Sequence, residues 1–78
     1  MLNSHQIAHF CGETLSLAKK EVDSGGLPFS AIVVDEKGRS IGQGVNEVNT
    51  LHDCTAHAEI QAIRVASKTL GTSSLKGT

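Results

Sequence analysis

Large side chains are scarce in this sequence, which has no tryptophan or tyrosine, two phenylalanines and one proline among 78 residues. At this length, folding buries only about 60–65% of the surface that the unfolded chain exposes. The chain is therefore at most one small domain. We expect a thin core that needs support from outside the chain.

Strong charge and long apolar runs are also missing. The formal net charge is −1, so there is no cationic face to neutralise a row of phosphates. We therefore do not expect the chain to bind nucleic acid. No apolar run reaches the length of a membrane span, and the amino terminus lacks the charged and then apolar segments of a signal peptide, so we predict a cytoplasmic protein. In that compartment Cys11 and Cys54 are expected to remain thiols.

The spacing of apolar residues predicts a helix over 3–23, capped by Asn3 or Ser4. Glycines at 25 and 26 then end it. Its apolar stripe consists of Ile7, Phe10, Cys11, Leu15, Ala18 and Val22.

A hairpin should follow this helix. Residues 29–34 form an apolar, β-branched run typical of a strand that is buried on both faces at the centre of a sheet, and 40–45 form a weaker second strand. A polar loop is predicted over 46–53 and a second helix over about 55–70. The inner side of that helix is predicted to hold Ala58, Ala62, Val65, Ala66 and Leu70.

His57 and Glu59 lie in the first turn of the second predicted helix. A neutral imidazole is a good zinc ligand, and a nearby carboxylate can take and return the proton of a water molecule. Free N–H groups at the start of the helix could bind a carbonyl or amide group. From the residues alone, His57 could equally belong to a helix cap and Glu59 could be placed by the helix dipole.

Residues 53–64, read as DCTAHAEIQAIR, resemble the first zinc motif of the cytidine deaminase-like superfamily. Residues 28–34, 44–46 and the tail from Leu70 to Gly77 are similar to bacterial guanine deaminases and slightly less similar to tRNA adenosine deaminases. The resemblance covers about residues 5–78. It implies an α/β protein with an incomplete α-β-α layered fold, ordered helix, strand, strand, helix, with a mixed sheet that lacks its later strands.

Carried over by position, the resemblance implies that His57 is a zinc ligand and that Glu59 is the proton shuttle. Asn46 would contact the substrate base, Phe29 would line the pocket wall, and the backbone at Ala58 would face the base or a water molecule. The implied reaction replaces an exocyclic amine of a nucleobase with oxygen. For guanine the products are xanthine and ammonia.

Two departures from the family pattern affect these expectations. The second motif, Pro-Cys-x-x-Cys, is not found in residues 1–78, so the match supplies one of three zinc ligands, and Cys54 stands where most relatives carry proline. We therefore expect residues 1–78 to be a single partial deaminase-like domain, the amino-terminal portion of such an enzyme, inactive without the second motif. Relatives are typically dimers, so a homodimer is compatible with the resemblance.

Other interpretations of the same residues stay open. Asn46 could bond its own loop backbone, and Phe29 could be core. Cys54 with His52 and His57, or His5 with His9, could bind a metal, although an exposed polar role is favoured for both groups. The rival hypothesis for the whole chain is a non-catalytic remnant that associates through an open sheet edge. A tRNA adenosine deaminase or a cytosine or cytidine deaminase is a further alternative.

Overall fold

The computed structural model describes residues 2–72, 74 and 75. Its elements are α1 (Ser4–Asp23), β1 (Ser30–Val34), β2 (Ser40–Val45), α2 (Val48–Leu51) and α3 (Ala58–Leu70). The α/β class and the helix, strand, strand, helix order are as the sequence predicts. Residues 73 and 76–78 of the tail, to which part of the resemblance extends, lie outside the described residues.

A reciprocal cap begins α1. The Asn3 Oδ1 atom accepts a hydrogen bond from the Gln6 N–H at 2.8 Å, and the Asn3 N–H donates to Gln6 Oε1 at 2.9 Å. These bonds satisfy two groups at the end of the helix and confirm the predicted cap. At the other end, Gly25 has a positive φ of 93°, and the Gly26 N–H donates to the Glu21 carbonyl at 2.8 Å.

β1 and β2 form an antiparallel hairpin in which Ala31 pairs with Gly44 and Val33 pairs with Gly42. The turn between the strands is closed by Asp35, which accepts bonds from the N–H groups of Lys37 and Arg39. The expectation of a central strand is wrong for the described sheet: it has two strands, and all five residues of β1 are only partly buried. β1 lies at an edge because no third strand pairs with it among the described residues.

The core lies between the hairpin and α3. It consists of alanines, with Ala56, Ala58, Ala62 and Ala66 each no more than 3% exposed. A Cβ added at Gly44 would overlap the Ala58 carbonyl oxygen, and one added at Gly42 would lie 2.8 Å from the Ala66 nitrogen. Glycine faces alanine across this contact, so the helix backbone packs closely on the strand.

The prediction that Val65 and Leu70 lie on the inner side of α3 is wrong. Val65 and Leu70 are 44% and 42% exposed, because the glycine surface of β2 accepts only the narrow stripe formed by the alanines four residues apart. Larger side chains are displaced to the flanks of that stripe.

The apolar stripe of α1 is also rotated away from the predicted contact. Ile7, Leu15 and Val22 are 51%, 72% and 47% exposed, and Cys11 is exposed. The face that packs on the sheet includes Thr14, whose carbonyl accepts a 2.7 Å hydrogen bond from the Ser30 hydroxyl. Phe10 and Ala18, by contrast, are partly buried.

The predicted loop over 46–53 contains the short helix α2, which sequence periodicity could not detect in four residues. It ends at Leu51, and the C-cap residue His52 has a left-handed φ of 52°. α3 begins at Ala58, three residues later than predicted, because residues 53–55 form a turn. None of the described helices is long and apolar enough to cross a membrane.

Candidate functional site

A cleft of about 520 Å³ opens where β1 begins, β2 ends and α3 begins. All five site residues predicted from the sequence line it: Phe29, Asn46, His57, Ala58 and Glu59. Three different segments meet there, so the grouping depends on the tertiary structure. The volume falls in the range of small-molecule sites.

Asn46 is held by both its backbone and its side chain. Its N–H donates to the Phe29 carbonyl at 3.2 Å, and its Oδ1 accepts from the Val48 N–H at 3.2 Å. The second bond is the local loop bond proposed as an alternative role. With Oδ1 turned toward α2, the NH₂ group of Asn46 is the part of the side chain suited to donate to a ligand.

α3 presents three successive residues to the cleft. His57 is the N-cap residue, in an extended conformation, and its side chain makes no capping hydrogen bond. His57 therefore occupies the cap position, as the alternative interpretation expects, but its imidazole does not satisfy a helix N–H group. Glu59 is in the first turn, and Ala58 is 3% exposed while both neighbours are exposed. Two polar side chains thus flank a backbone N–H at the positive end of the helix.

The turn before His57 is fixed by Asp53. Its Oδ1 accepts from the Thr55 hydroxyl at 2.6 Å and the Thr55 N–H at 2.8 Å, and these bonds lower the pKa of Asp53. Arg64 of α3 donates to the Thr55 hydroxyl at 3.2 Å. The turn is therefore bonded to α3, the helix that follows it, and these bonds fix the position of His57.

The described residues do not complete a metal site. They contain no group of three His, Cys, Asp or Glu side chains that could hold a metal ion, whereas a catalytic zinc takes three protein ligands. Cys54 is a free, exposed thiol and does not line the cleft. His9 bonds to Glu13 at 2.9 Å, so the proposed pairing with His5 around a metal gains no support.

Sequence reasoning missed part of the cleft wall. Thr14, Leu15 and Ala18 of α1 line it together with Pro28 and Ser30. Leu15 and Ala18 had been assigned to a core stripe, because the sequence does not reveal at which angle α1 crosses the sheet. Their spacing along one helical face is the signal that could have placed them together.

The fold and the cleft define this chain as a deaminase-type α/β domain of the cytidine deaminase-like class. Residues 4–78 match the family described as cytidine and deoxycytidylate deaminase zinc-binding region, and the chain belongs to that family. The family description implies zinc, although the described residues contain no group of three side chains that could hold it.

Relatives of known activity agree with this class. The chain is 46% identical to guanine deaminase of Bacillus subtilis over 63 residues, which are 80% of this chain and 40% of that protein. It is 41% identical to the tRNA-specific adenosine deaminase of Aquifex aeolicus over 69 residues, 88% and 45% of the two chains. The chain spans less than half the length of these relatives.

Solved structures of related proteins also have the fold of this chain. The crystal structure of the Bacillus subtilis guanine deaminase superimposes with a TM-score of 0.77 at 42% identity, covering 91% of this chain and 43% of that one. A single-residue mutant of the NE0047 protein in complex with 8-azaguanine superimposes with a TM-score of 0.73 at 34% identity, covering 78% of this chain and 34% of that one. That related protein therefore binds an analogue of a nucleobase.

Proposed function

We propose that this chain supplies the base-binding cleft of a zinc-dependent hydrolytic deaminase and that the preferred base is guanine. The observation that carries the proposal is the cleft itself, which groups Phe29, Asn46, His57, Ala58 and Glu59. The similarity to guanine deaminase and the 8-azaguanine complex of a related fold support a purine as the ligand.

Each residue has a part in this proposal. The NH₂ group of Asn46 donates to an acceptor on the base, and the Phe29 ring, 56% exposed, packs against the base plane. The Ala58 N–H, at the positive end of α3, donates to an oxygen or ring nitrogen. Glu59 takes a proton from water and returns it to the amine that leaves as ammonia.

His57 provides the imidazole ligand of the zinc site in this proposal. Because one ligand is not enough to hold a catalytic zinc, residues 1–78 act as a single partial domain that is inactive alone. Further ligands must come from residues that this chain does not contain. A cytoplasmic location and a homodimeric assembly belong to the same proposal.

A free base is preferred over tRNA on the basis of charge. The net charge of −1 gives no attraction to a phosphate backbone. The second candidate, a tRNA adenosine deaminase, is favoured by the 41% identity to the Aquifex aeolicus enzyme. It is also favoured by a TM-score of 0.77 to a tRNA:A34 deaminase.

The proposal is tested by titrating the isotope-labelled chain with 8-azaguanine while amide chemical shifts are recorded. We expect shifts at Asn46, Ala58 and Glu59, and about a tenfold loss of affinity in Asn46→Ala because a hydrogen bond to the base is removed. Asn49→Ala is the matched control, since Asn49 is exposed on α2 and away from the cleft.

Two results would change the assignment. Shifts spread evenly over the surface, with equal affinity in both asparagine variants, would contradict a base site at the cleft. Binding of a short adenosine-containing RNA stem-loop at the same residues, with no response to 8-azaguanine, would favour the tRNA alternative.

A further inference from the structure

The polar groups of the cleft come from two segments of the chain, which meet through one backbone hydrogen bond. Asn46 follows β2, and His57 precedes α3. Between these two segments, the Glu47 N–H donates to the carbonyl of the fully buried Ala56 at 2.9 Å. A single hydrogen bond tolerates a range of angles, so a second contact is needed to fix how the two segments are oriented.

The side chain of Gln61, one turn into α3, supplies this second contact. Its Nε2 atom donates to Glu47 Oε2 at 3.1 Å, and its Oε1 atom accepts from Arg64 Nη1 at 2.8 Å. Arg64 also donates to the hydroxyl of Thr55 at 3.2 Å, in the turn that precedes α3. Gln61 therefore connects the segment that follows β2 with the turn that leads into the helix.

The two partners determine which way the Gln61 amide faces. An ionised carboxylate only accepts hydrogen bonds, and a guanidinium group only donates them. The NH₂ group must therefore face Glu47 and the amide oxygen must face Arg64. An amide satisfies both partners at once, whereas a carboxylate or an ammonium group at this position would satisfy only one of them.

Packing also restricts where the Gln61 side chain lies. The residue is partly buried, and a Cβ added at Gly44 would lie 2.8 Å from the Gln61 Cβ, so the side chain begins against the backbone of β2. Neither Gln61 nor its partners Glu47 and Arg64 line the cleft. An effect of Gln61 on a ligand in the cleft must therefore act through the residues that it holds in place.

We propose that Gln61 is a positioning residue that holds Asn46 and the first turn of α3 at the separation needed to bind a nucleobase. In the proposed function, one hydrogen-bond donor is the Asn46 side chain and another is the Ala58 N–H. A base contacts both donors only if their separation matches its edge, and a displacement of about 1 Å is enough to weaken such an arrangement. The effect on base binding rests on the proposed function, whereas the coupling of the two segments does not.

The test is a double-mutant cycle on the 78-residue chain, with the affinity for 8-azaguanine as the readout. Gln61→Glu keeps the size of the side chain and the bond from Arg64 but sets a second carboxylate against Glu47. We expect it to lose affinity by about tenfold, because the two like charges repel. Glu47→Gln alone keeps an acceptor for the Gln61 NH₂ group and should change the affinity by about twofold or less.

The exchanged pair, Glu47→Gln together with Gln61→Glu, places the amide and the carboxylate in each other's position. The donor and the acceptor are then both restored, so we expect an affinity within about twofold of the unmutated chain. Losses that simply add in the exchanged pair would overturn the proposal. Affinities are measured well below the unfolding midpoint of each variant, where a contact that only stabilises the fold would not alter them.

Gln43→Glu is the matched control for the added charge. Gln43 is exposed on β2 and does not line the cleft, so we expect this variant to bind 8-azaguanine as the unmutated chain does. An equal loss of affinity in Gln43→Glu and Gln61→Glu would assign the effect to net charge and contradict a positioning role. In the unmutated chain, saturating 8-azaguanine should shift the side-chain NH₂ resonances of Gln61 and leave those of Gln43 in place, which requires no variant to fold.

Hydrogen exchange of the free chain separates this inference from the proposed function. We expect the protection of the N–H at position 47, which bonds to the Ala56 carbonyl, to fall in Gln61→Glu and to return in the exchanged pair. That result in a chain that does not bind 8-azaguanine would contradict the proposed function and leave the coupling intact. Binding of 8-azaguanine at Asn46, with unaltered protection and affinity in Gln61→Glu, would have the opposite meaning.

Discussion

Gly44 sets how closely α3 approaches β2, and so where the first residues of α3 lie relative to Asn46. A Cβ at this position would overlap the Ala58 carbonyl oxygen and lie 2.5 Å from the Ala62 nitrogen. These are backbone atoms, which cannot move away without shifting the helix. The residue therefore links core packing to the geometry of the cleft.

We predict that Gly44→Ala destabilises the chain by about 1–3 kcal/mol, because it overpacks a closed contact. Gly12→Ala is the matched control: a Cβ there meets nothing within 4 Å, and alanine in a helix is favoured over glycine by about 0.5–1 kcal/mol. Urea unfolding of the two variants checks both values. Equal stability of the two variants would be inconsistent with this packing.

Asp35 is a second residue with a defined structural task. It is 8% exposed, and its Oδ2 accepts a 2.7 Å bond from the Arg39 Nε. The backbone N–H of Arg39 is the main cause of the lowered pKa of Asp35, opposed by desolvation and assisted by the Arg39 side chain. The ionised carboxylate thus holds the turn between β1 and β2.

A lowered pKa in the folded state means that Asp35 contributes stability above its ordinary pKa, and that the contribution is lost as pH falls through the folded value. Asp35→Asn should therefore be less stable than the unmutated chain at pH 6, and this deficit should shrink toward pH 3. Unfolding midpoints at both pH values measure this. Glu36→Gln, at an exposed position in the same turn, should keep the full pH dependence.

Among the elements, the stability of α1 depends more on the hydrogen bonds of its first turn than on the burial of its side chains. None of its residues is fully buried, so the reciprocal bonds between Asn3 and Gln6 matter for where it starts. We predict that Asn3→Ala costs about 1 kcal/mol of stability. We expect this variant to have a lower melting temperature and increased fraying of the first turn of α1.

Circular dichroism melting and amide exchange at residues 4–8 check this prediction. Asn49→Ala serves as the control for asparagine removal at an exposed site and should melt close to the unmutated chain. If Asn3→Ala leaves the exchange of the first turn unaltered, the cap does not determine where α1 begins.

At the scale of the whole molecule, stability is unevenly distributed. The buried core lies between α3 and the hairpin, and among the described residues no large side chain is fully buried. A core of alanines removes little apolar surface from water, so the chain should be marginally stable. α1 is connected to the sheet by partly buried contacts such as the bond from Ser30 to Thr14.

Hydrogen exchange of the chain alone should therefore rank the elements. We predict the slowest exchange in the middle of α3, at Ala62 and Ala66, and faster exchange throughout α1 despite its greater length. Uniform protection of both helices would show that α1 unfolds with the core.

Much of the local structure was determined by the sequence. The cap at Asn3, the hairpin and the existence of α3 follow from signals between residues close along the chain. His57 and Glu59 were found because they are two positions apart in a family motif, and Asn46 and Phe29 because short flanking segments resemble the same family. Such short-range patterns do not require knowledge of how the elements pack.

Only the tertiary structure decided which faces are buried and what lines the cleft. The close contact of glycine with alanine fixed the rotation of α3 and left Val65 and Leu70 exposed. The crossing of α1 placed Thr14 and Leu15 in the wall of the cleft that His57 also lines. The open side of β1 likewise depends on which strands pair. These features arise from contacts between residues distant in the sequence, where shape and backbone separation decide the outcome and apolar periodicity alone does not.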